Sequence, residues 1–233
     1  MKKILLIGFG LVICQMSHAQ RVKLKSPTFM SLTFSSGMNG VATFRNQSLF
    51  SFDPIKFKEE SEDIGFSIGA NAIWELNKKN NLSIGLSATK LGFQLGLDSL
   101  FGHDPNDPLI PKAMYAKLQS YFVELPVLVS YKLSKQSNGL FIRTGLKPQF
   151  KFLNRSVNRL EYRDRTEERT FQRFPESNWF NLAYSLELGY EAEVNQDLIF
   201  QISPYFNTQV VRYFRGTFHR HLWSTGLQLS LVM

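Results

Sequence analysis

The sequence predicts an all-β fold, an antiparallel up-and-down transmembrane β-barrel of the outer-membrane type with about eight strands, long extracellular loops and short periplasmic turns. Three observations indicate this fold. Residues 140–152 alternate between apolar and polar side chains, and a period of two is typical of a strand. An export signal precedes the alternating segments. The connections between these segments are alternately long and short, as in outer-membrane barrels.

The chain begins with the three parts of an export signal. Lys2 and Lys3 are basic, residues 4–13 are apolar, and a short segment ends at the small residue Ala19. The apolar run is too short to span a bilayer as a helix. The pattern therefore predicts a signal peptide that is cleaved after Ala19.

Cleavage would remove residues 1–19 and leave 20–233 as one outer-membrane β-barrel domain. Cys14 is the only cysteine of the chain and lies in the signal, so we expect no disulfides in the mature protein. Loss of Lys2 and Lys3 lowers the formal charge from +8 to +6. On an exported barrel, a basic surface favours anionic lipid headgroups and lipopolysaccharide phosphates over nucleic acid as partners.

Later apolar runs are shorter than a membrane-spanning helix, and a chain that crosses a bilayer without such helices must form a closed barrel. The strands predicted from alternation are 28–38, 64–76, 82–97, 117–133, 140–152, 179–194, 198–211 and 222–233. The short connections between them are 77–80, 134–139 and 195–197. If these short turns are periplasmic, both termini lie in the periplasm and the long connections lie outside the cell.

Each predicted strand carries apolar side chains on a single face. In strand order these include Met30 and Phe34, Ile68 and Trp74, Ile84 and Leu86, Val127 and Val129, Leu140 and Ile142, Leu186 and Leu188, Phe200 and Phe206, and Leu229 and Leu231. Aromatic residues sort to two heights, which is typical of the girdles at membrane interfaces. A soluble lipocalin-like barrel would have the reverse pattern, with an apolar lumen.

Two predicted strands are irregular. In the third strand, the outward parity that begins at Leu82 reverses at Leu91, which predicts a bulge near Lys90 or Gly92. In the fourth strand, Pro126 removes one ladder hydrogen bond, so we expect a bulge or locally weak pairing there.

Charged side chains on the inward face predict a lumen charge network. Its members are Glu124, Lys132, Arg143, Lys147, Lys151, Glu187 and Glu191. They lie on three consecutive strands, where opposite charges stabilise each other across the sheet. Since an eight-stranded barrel is just wide enough for side chains to fill it, the network favours a polar plug. The alternative is a narrow ion-conducting path.

The third outer connection, residues 153–178, is rich in arginine. It contains Arg155, Arg159, Arg163, Arg165, Arg169 and Arg173, interspersed with acidic residues. Guanidinium groups suit phosphate and carboxylate partners, which suggests an outer loop that docks lipopolysaccharide or a protein. The alternative is a solvated loop, or a strand extension held by its own ion pairs.

Residue patterns typical of catalysis or metal binding are weak. His219 and His221 could share a metal, but spacing places no third ligand. His221 and Ser224 would suit a lipid-modifying hydrolase only with an acid partner that the sequence does not specify. We therefore expect no catalytic residues, no metal and no cofactor.

Residues 121–131, which read Tyr-Phe-Val-Glu-Leu-Pro-Val-Leu-Val-Ser-Tyr, resemble the PorT-like outer-membrane barrel family of Bacteroidota, within the porin superfamily. Residues 139–145 and 188–191, and the signal ending Ala19-Gln20, are also similar to that family. The resemblance implies an eight-stranded barrel without accepted catalytic residues. One member of the family takes part in type IX protein secretion.

The sequence favours a non-enzymatic barrel that acts as a scaffold or accessory subunit of an outer-membrane machine for secretion, assembly or surface attachment. The alternative is a small passive channel, and a third hypothesis is a lipid-modifying enzyme. The partners we expect are outer-membrane lipid, lipopolysaccharide and other envelope proteins in a complex. The sequence contains no nucleic-acid-binding motif.

Overall fold

The computed structural model describes residues 26–44, 59–98, 111–134, 138–171, 178–195, 197–211 and 219–233. The predicted signal peptide lies outside these ranges. Within them are ten strands: β1 Phe29–Phe44, β2 Glu59–Glu75, β3 Asn80–Asp98, β4 Ala113–Glu124, β5 Val127–Lys132, β6 Gly139–Glu161, β7 Thr166–Phe171, β8 Phe180–Asn195, β9 Leu198–Gln209 and β10 His219–Val232. The described residues include no helix long and apolar enough to cross a membrane.

The strands form one closed antiparallel sheet. The first strand, β1, pairs with the last, β10, from Ser31 opposite Val232 to Phe44 opposite His219. Both β4 and β5 pair with β3 on one side and with β6 on the other, so together they form one wall strand. The short β7 pairs with the C-terminal part of β6, from Ser156 to Glu161. The wall therefore has eight strands in up-and-down order, and the predicted fold class is confirmed.

Pro126 interrupts the wall as the sequence predicts. Residues 125–126 separate β4 from β5. The ladder is kept on both sides of the break, because Leu125 N donates to Pro148 O at 2.9 Å and Gly85 N donates to Pro126 O at 3.0 Å. The interruption is thus limited to the position where proline has no N–H to donate.

The predicted bulge in the third strand is wrong. The strand β3 pairs with β4 in one continuous register, and Leu91 and Phe93 turn their side chains into the barrel, where they are buried. Register shifts occur instead in β2, between Glu62 and Phe66, in β6, where Phe152 is the extra residue, and at the end of β8, between Glu193 and Asn195. The apolar residues of β3 change from the lipid-facing side to the lumen side because the lumen itself becomes apolar there. The strand keeps its register, so no bulge is needed.

The two faces of the barrel have opposite character. Outward side chains are large and apolar over the middle of every wall strand, for example Leu32, Ile68, Leu86, Leu140, Leu188, Phe206 and Leu229. Buried side chains are mostly polar, including serines, asparagines, glutamines and the charged groups of the lumen. Aromatic rings meet on the outer wall, where the ring centroids of Phe150 and Phe180 lie 5.4 Å apart. This arrangement suits a barrel surrounded by hydrocarbon.

The predicted long connection over residues 153–178 is partly wrong. Residues 153–161 continue β6, and the following β7 folds back on them through Tyr162 N, which donates to Arg165 O at 2.8 Å. The strand β4 accompanies β6 as far as Glu161, and β3 accompanies β4 as far as Asp98. The barrel therefore carries a sheet extension of β3, β4, β6 and β7 beyond the end opposite the short turns.

The closing seam depends on a close approach of β1 and β10 at Gly37 and Gly226. A Cβ on Gly37 would meet Thr225 O and lie 2.7 Å from the Cα of Gly226. We expect Gly37→Val to destabilise the barrel by about 1–3 kcal/mol, because backbone must shift to admit the side chain. The midpoint of heat-modifiability on gels should fall.

The matched control is Ala88→Val, which adds the same kind of apolar bulk on the lipid-facing side of β3, where Ala88 is exposed. Its midpoint should stay near that of the wild type. Equal midpoints for the two variants would show that the seam tolerates a side chain.

Candidate functional site

The lumen is centred on a buried ion pair between β6 and β8. Arg143 and Glu187 are direct cross-strand partners. Arg143 Nη1 lies 3.1 Å from Glu187 Oε2, and the two residues are 6% and 1% exposed. The predicted network members Arg143 and Glu187 are therefore brought into contact, far from solvent.

The remaining donors of Arg143 tie this pair to two other wall strands. Arg143 Nε donates to Ser130 Oγ on β5 at 2.9 Å, and Nη2 donates to Gln201 Oε1 on β9 at 2.7 Å. The guanidinium also stacks 4.8 Å from the centroid of the Phe141 ring. Because all three nitrogens have partners, the charge is compensated as a buried guanidinium requires.

A second ion pair lies toward the end of the barrel with the short turns. Lys132 Nζ lies 2.8 Å from Glu191 Oε1. Gln201 Nε2 donates to Glu191 Oε2 at 3.3 Å. Since the other end of the same amide accepts from Arg143, Gln201 links the two ion pairs into one network.

The third acid, Glu124, lies on the side of the long connections. It accepts from Gln149 Nε2 at 2.6 Å and from Ser87 Oγ at 3.3 Å. Lys147 Nζ donates to Asn207 at 3.3 Å and lies 3.9 Å from Glu187 Oε1, which is an ion-pair distance too long for a hydrogen bond. The glutamine Gln149 in turn accepts from Gln209 at 2.8 Å.

Lys151, the last predicted member, lies apart from the charged centre. Its Cα pairs with that of Phe122. Phe122 belongs to an apolar cluster that lies toward the end of the lumen opposite the short turns, made of Leu91, Phe93, Leu95, Leu118, Phe122 and Leu222. The alternation of residues did not predict this cluster, because it suggested that the apolar side chains of β3 face the lipid.

Two of the cavities within the described part of the lumen have volumes of about 40 Å³ and 10 Å³. Cavities of this size hold a few water molecules at most. Arg143 lines both of them. Its side chain and hydrogen bonds therefore lie between the two spaces, and the described part of the lumen is filled.

The arginine-rich segment forms the β6–β7 hairpin. Arg159 Nη2 lies 2.9 Å from Glu161, and Glu167 lies 2.8 Å from Arg165 and 2.9 Å from Arg169. Hydrogen bonds from Arg165 and then Arg169 hold the pKa of the Glu167 carboxyl below its usual value. The hydrogen bond to Glu167 raises the pKa of Arg165. The segment is thus a strand extension with its own ion pairs.

Three of the six predicted arginines stand outside these hairpin pairs. Arg155 and Arg163 are exposed and have no ion-pair partner within the described ranges. Arg173 lies outside the described residues. The hairpin therefore combines internally paired guanidinium groups with others that are available to a partner.

The histidine and serine considered for hydrolysis are not brought together. Side chains three apart on a strand point to opposite faces, and Ser224 is buried on the lumen face of β10, where it accepts from Asn207 at 3.3 Å. His221 Nδ1 lies 2.9 Å from Gln209 O. Among the described residues, no three His, Cys, Asp or Glu side chains are grouped to hold a metal. The side chain of His219 lies outside the described part.

We expect Arg143→Leu to destabilise the barrel by about 3–5 kcal/mol, because it leaves Glu187 buried without its cation. The midpoint of heat-modifiability in detergent should fall accordingly. As a control, Arg163→Leu removes an exposed guanidinium and should change stability by no more than about 0.5 kcal/mol. An unchanged midpoint for Arg143→Leu would mean that the ion pair is dispensable to the filled lumen.

Comparison with solved structures finds outer-membrane barrels of low identity. Ail, the attachment invasion locus protein of Yersinia pestis, is 11% identical, with 89% of this chain and 99% of that chain covered and a TM-score of 0.33. Neisserial surface protein A is 11% identical, with 87% and 96% covered and a TM-score of 0.40. OprG of Pseudomonas aeruginosa is 10% identical, with 88% and 96% covered and a TM-score of 0.41.

The comparison with curated proteins returned no match. A family model described as an outer membrane protein beta-barrel domain matches residues 19–207. This range contains β1 to β8 and most of β9, and it covers more than half of the chain. The chain therefore belongs to the outer membrane protein beta-barrel domain family, and its barrel is a component of the bacterial outer membrane.

Proposed function

We propose that this barrel is a non-enzymatic scaffold or accessory subunit of an outer-membrane machine, with a sealed lumen and an outer sheet that binds other envelope proteins. The observation that carries the proposal is the contrast between the two ends of β6. Its first half contributes Arg143 to the filled lumen, whereas its second half rises into the β6–β7 hairpin. The protein thus presents a binding surface on the β6–β7 hairpin and does not provide a pore through its lumen.

The length of the extension supports a role outside the bilayer. The strand β6 has 23 residues and β3 has 19, whereas about 9–11 residues cross a membrane at a tilt. The excess residues of β6 pair with β4 and β7. A paired sheet presents side chains in fixed positions, which lowers the entropic cost of binding a partner.

The hairpin has the composition of a protein-binding surface. Exposed arginines are frequent among residues that dominate interface energetics. Here Arg163 and Arg169 are exposed on the tip and on β7, and the exposed ring of Phe171 ends that strand. A partner with acidic groups around an apolar contact would complement these side chains.

The proposed orientation places both termini and the short turns in the periplasm. Connections of a few residues, such as 76–79 and 133–138, join strands at one end of the barrel. The connections 45–58, 99–112 and 210–218 are longer and belong to the other end. Short periplasmic turns and long outer loops are the usual arrangement of bacterial outer-membrane barrels.

The resemblance to the PorT-like barrels of Bacteroidota supports type IX secretion as one such machine. Within the similar segment, Glu124 fills the lumen and Pro126 divides a wall strand, so both residues have structural roles in this chain. A role in the barrel itself explains the motif without a catalytic function. The proposal also covers machines for outer-membrane assembly and for surface attachment.

The test is recovery of the native complex through a tag placed between the signal peptide and residue 26. Mild extraction should yield a stoichiometric set of envelope proteins. Arg163→Gln with Arg169→Gln should reduce recovery about tenfold if the hairpin supplies binding energy of at least 1.4 kcal/mol. The folded barrel should be retained at the wild-type level.

The matched control is Lys78→Gln with Lys79→Gln, which removes two positive charges from the short turn at the opposite end. Its complex should be recovered in full. A barrel that is always recovered alone contradicts the scaffold proposal. Full recovery of the complex with the arginine double variant would show that the partner binds elsewhere than at the hairpin.

A further inference from the structure

On four adjacent wall strands, the outward-facing side chains change from apolar to charged at about the same level along the barrel axis. Below this height the outer wall is apolar, with Ile84, Leu86, Val123 and Phe150 among its side chains. Beyond it lie Asp63 on β2, Lys90 on β3, Lys117 on β4 and Arg155 on β6. We name Lys90, Lys117, Gln119 and Arg155, together with Asp63, the basic wall patch.

The strand register places the basic wall patch in one area. Gln119 lies directly opposite Gly92 of β3 on one side and Arg155 of β6 on the other. Lys117 is two residues from Gln119 on the same face, and Lys90 is two residues from Gly92. Neighbouring strands are about 4.8 Å apart, so the three cations border Gln119 from three sides.

The bulge in β2 supplies the single acid of the patch. Asp63 Oδ1 lies 2.8 Å from Lys117 Nζ, and its Oδ2 lies 3.7 Å from Lys90 Nζ and 3.3 Å from Gln119 Nε2. The Asp63 side chain extends from β2 over Gly92 of β3 to reach β4. A side chain at position 92 would block it, because an added Cβ would lie 2.7 Å from Asp63 Oδ2. One buried carboxylate thus holds two ammonium groups close together.

The patch keeps a positive excess after this pairing. Three cations surround one carboxylate, and Arg155 has no ion-pair partner within the described ranges. Lys117 keeps 38% of its side chain exposed. Two donors with different geometry, an ammonium and a planar guanidinium, are therefore open to an anion that approaches from the membrane side.

The border of the patch is apolar and aromatic. The bulge at Phe152 turns both Phe152 and Leu153 outward, and they are 63% and 43% exposed. Tyr121 stacks beside Phe152, with 6.3 Å between ring centroids, and Lys90 lies 5.9 Å from the centroid of Phe66. A ligand that fills this surface needs an anionic head next to long apolar chains.

We propose that the basic wall patch binds the phosphorylated headgroup of an outer-leaflet glycolipid, namely lipid A, while the apolar wall below it contacts the acyl chains. Phosphate oxygens accept the charge-assisted hydrogen bonds that Lys117 and Arg155 donate. Gln119 lies between these cations and adds a neutral amide. The inference rests on the orientation given under the proposed function, in which this end of the barrel faces the outer leaflet.

A lipid is favoured over a protein as the ligand because the patch lies on the lipid-facing wall and faces the plane of the membrane. The cations continue the outward-facing rows of the lipid-facing wall, directly next to exposed apolar side chains. The hairpin tip that would contact a protein lies further along β6. The two surfaces can therefore be separated by mutation.

The test measures binding of purified lipid A, and of the same lipid after enzymatic removal of its phosphate, to the full-length barrel in detergent by native mass spectrometry. The wild type should bind lipid A at least about tenfold more tightly than the dephosphorylated form. Lys117→Gln with Arg155→Gln should lose about tenfold in affinity for lipid A only. Lys78→Gln with Lys79→Gln, which removes the same charge at the opposite end, should bind like the wild type.

Folding of each variant is checked by heat-modifiability, and Arg155→Gln alone serves if the double variant does not fold. Equal binding of both lipid forms, or unchanged affinity of the patch variant, overturns the inference and leaves the scaffold proposal intact. Loss of affinity only with the Lys78 and Lys79 variant means that the opposite end faces the glycolipid. That result overturns the orientation along with the inference.

Discussion

Hydrocarbon provides no hydrogen-bond partners for the backbone, and every other feature of this protein depends on that constraint. A sheet in a membrane must close so that no strand edge is left unpaired. Closure at eight strands, completed by β1 against β10, fixes a narrow lumen. Such a lumen is filled by side chains, and this chain fills it with ions, amides and hydroxyls in one region and with apolar groups in the other.

The ion pair at the centre of the charged region is supported by several further hydrogen bonds. Arg143 joins β5, β6, β8 and β9 through Ser130, Glu187 and Gln201. A buried ion pair is costly to desolvate, and further hydrogen bonds are needed to offset that cost. The same contacts connect four consecutive wall strands, so they favour one register of these strands over its neighbours.

The sequence predicted the wall well because alternation is imposed by the two environments. It also placed Arg143 and Glu187 in one lumen network, since both follow the inward parity of their strands, but it did not decide which acid pairs with Arg143. The alternation of apolar and polar residues gave the wrong face where the lumen itself is lined by apolar side chains. The apolar side chains of Leu91 and Phe93 suggested a lipid-facing position, yet they are buried in the lumen at the end opposite the short turns. Only strand pairing distinguishes these two interpretations.

Neither of the two bulges that shape the outward surfaces was predicted from the sequence. The bulge at Phe152 reverses the parity of β6, so that Arg155 faces outward and residues 153–161 continue the strand. The bulge after Glu62 places Asp63 over Gly92. Gly65, within the shifted segment of β2, is a local signal for this bulge, because glycine inside a strand often marks one. The segment around Phe152 has no such glycine, and there only the pairing with β4 shows the register.

We propose that the network around Arg143 closes the lumen to ions. The experiment that decides this is a recording of the purified wild-type barrel in a planar bilayer at neutral pH and moderate voltage. We expect insertion without steady conductance steps. As a positive control, Arg143→Gly with Phe141→Ala, which empties the space between the two cavities, should produce small openings. Regular open-channel steps from the wild type would contradict the sealed barrel and favour a passive channel.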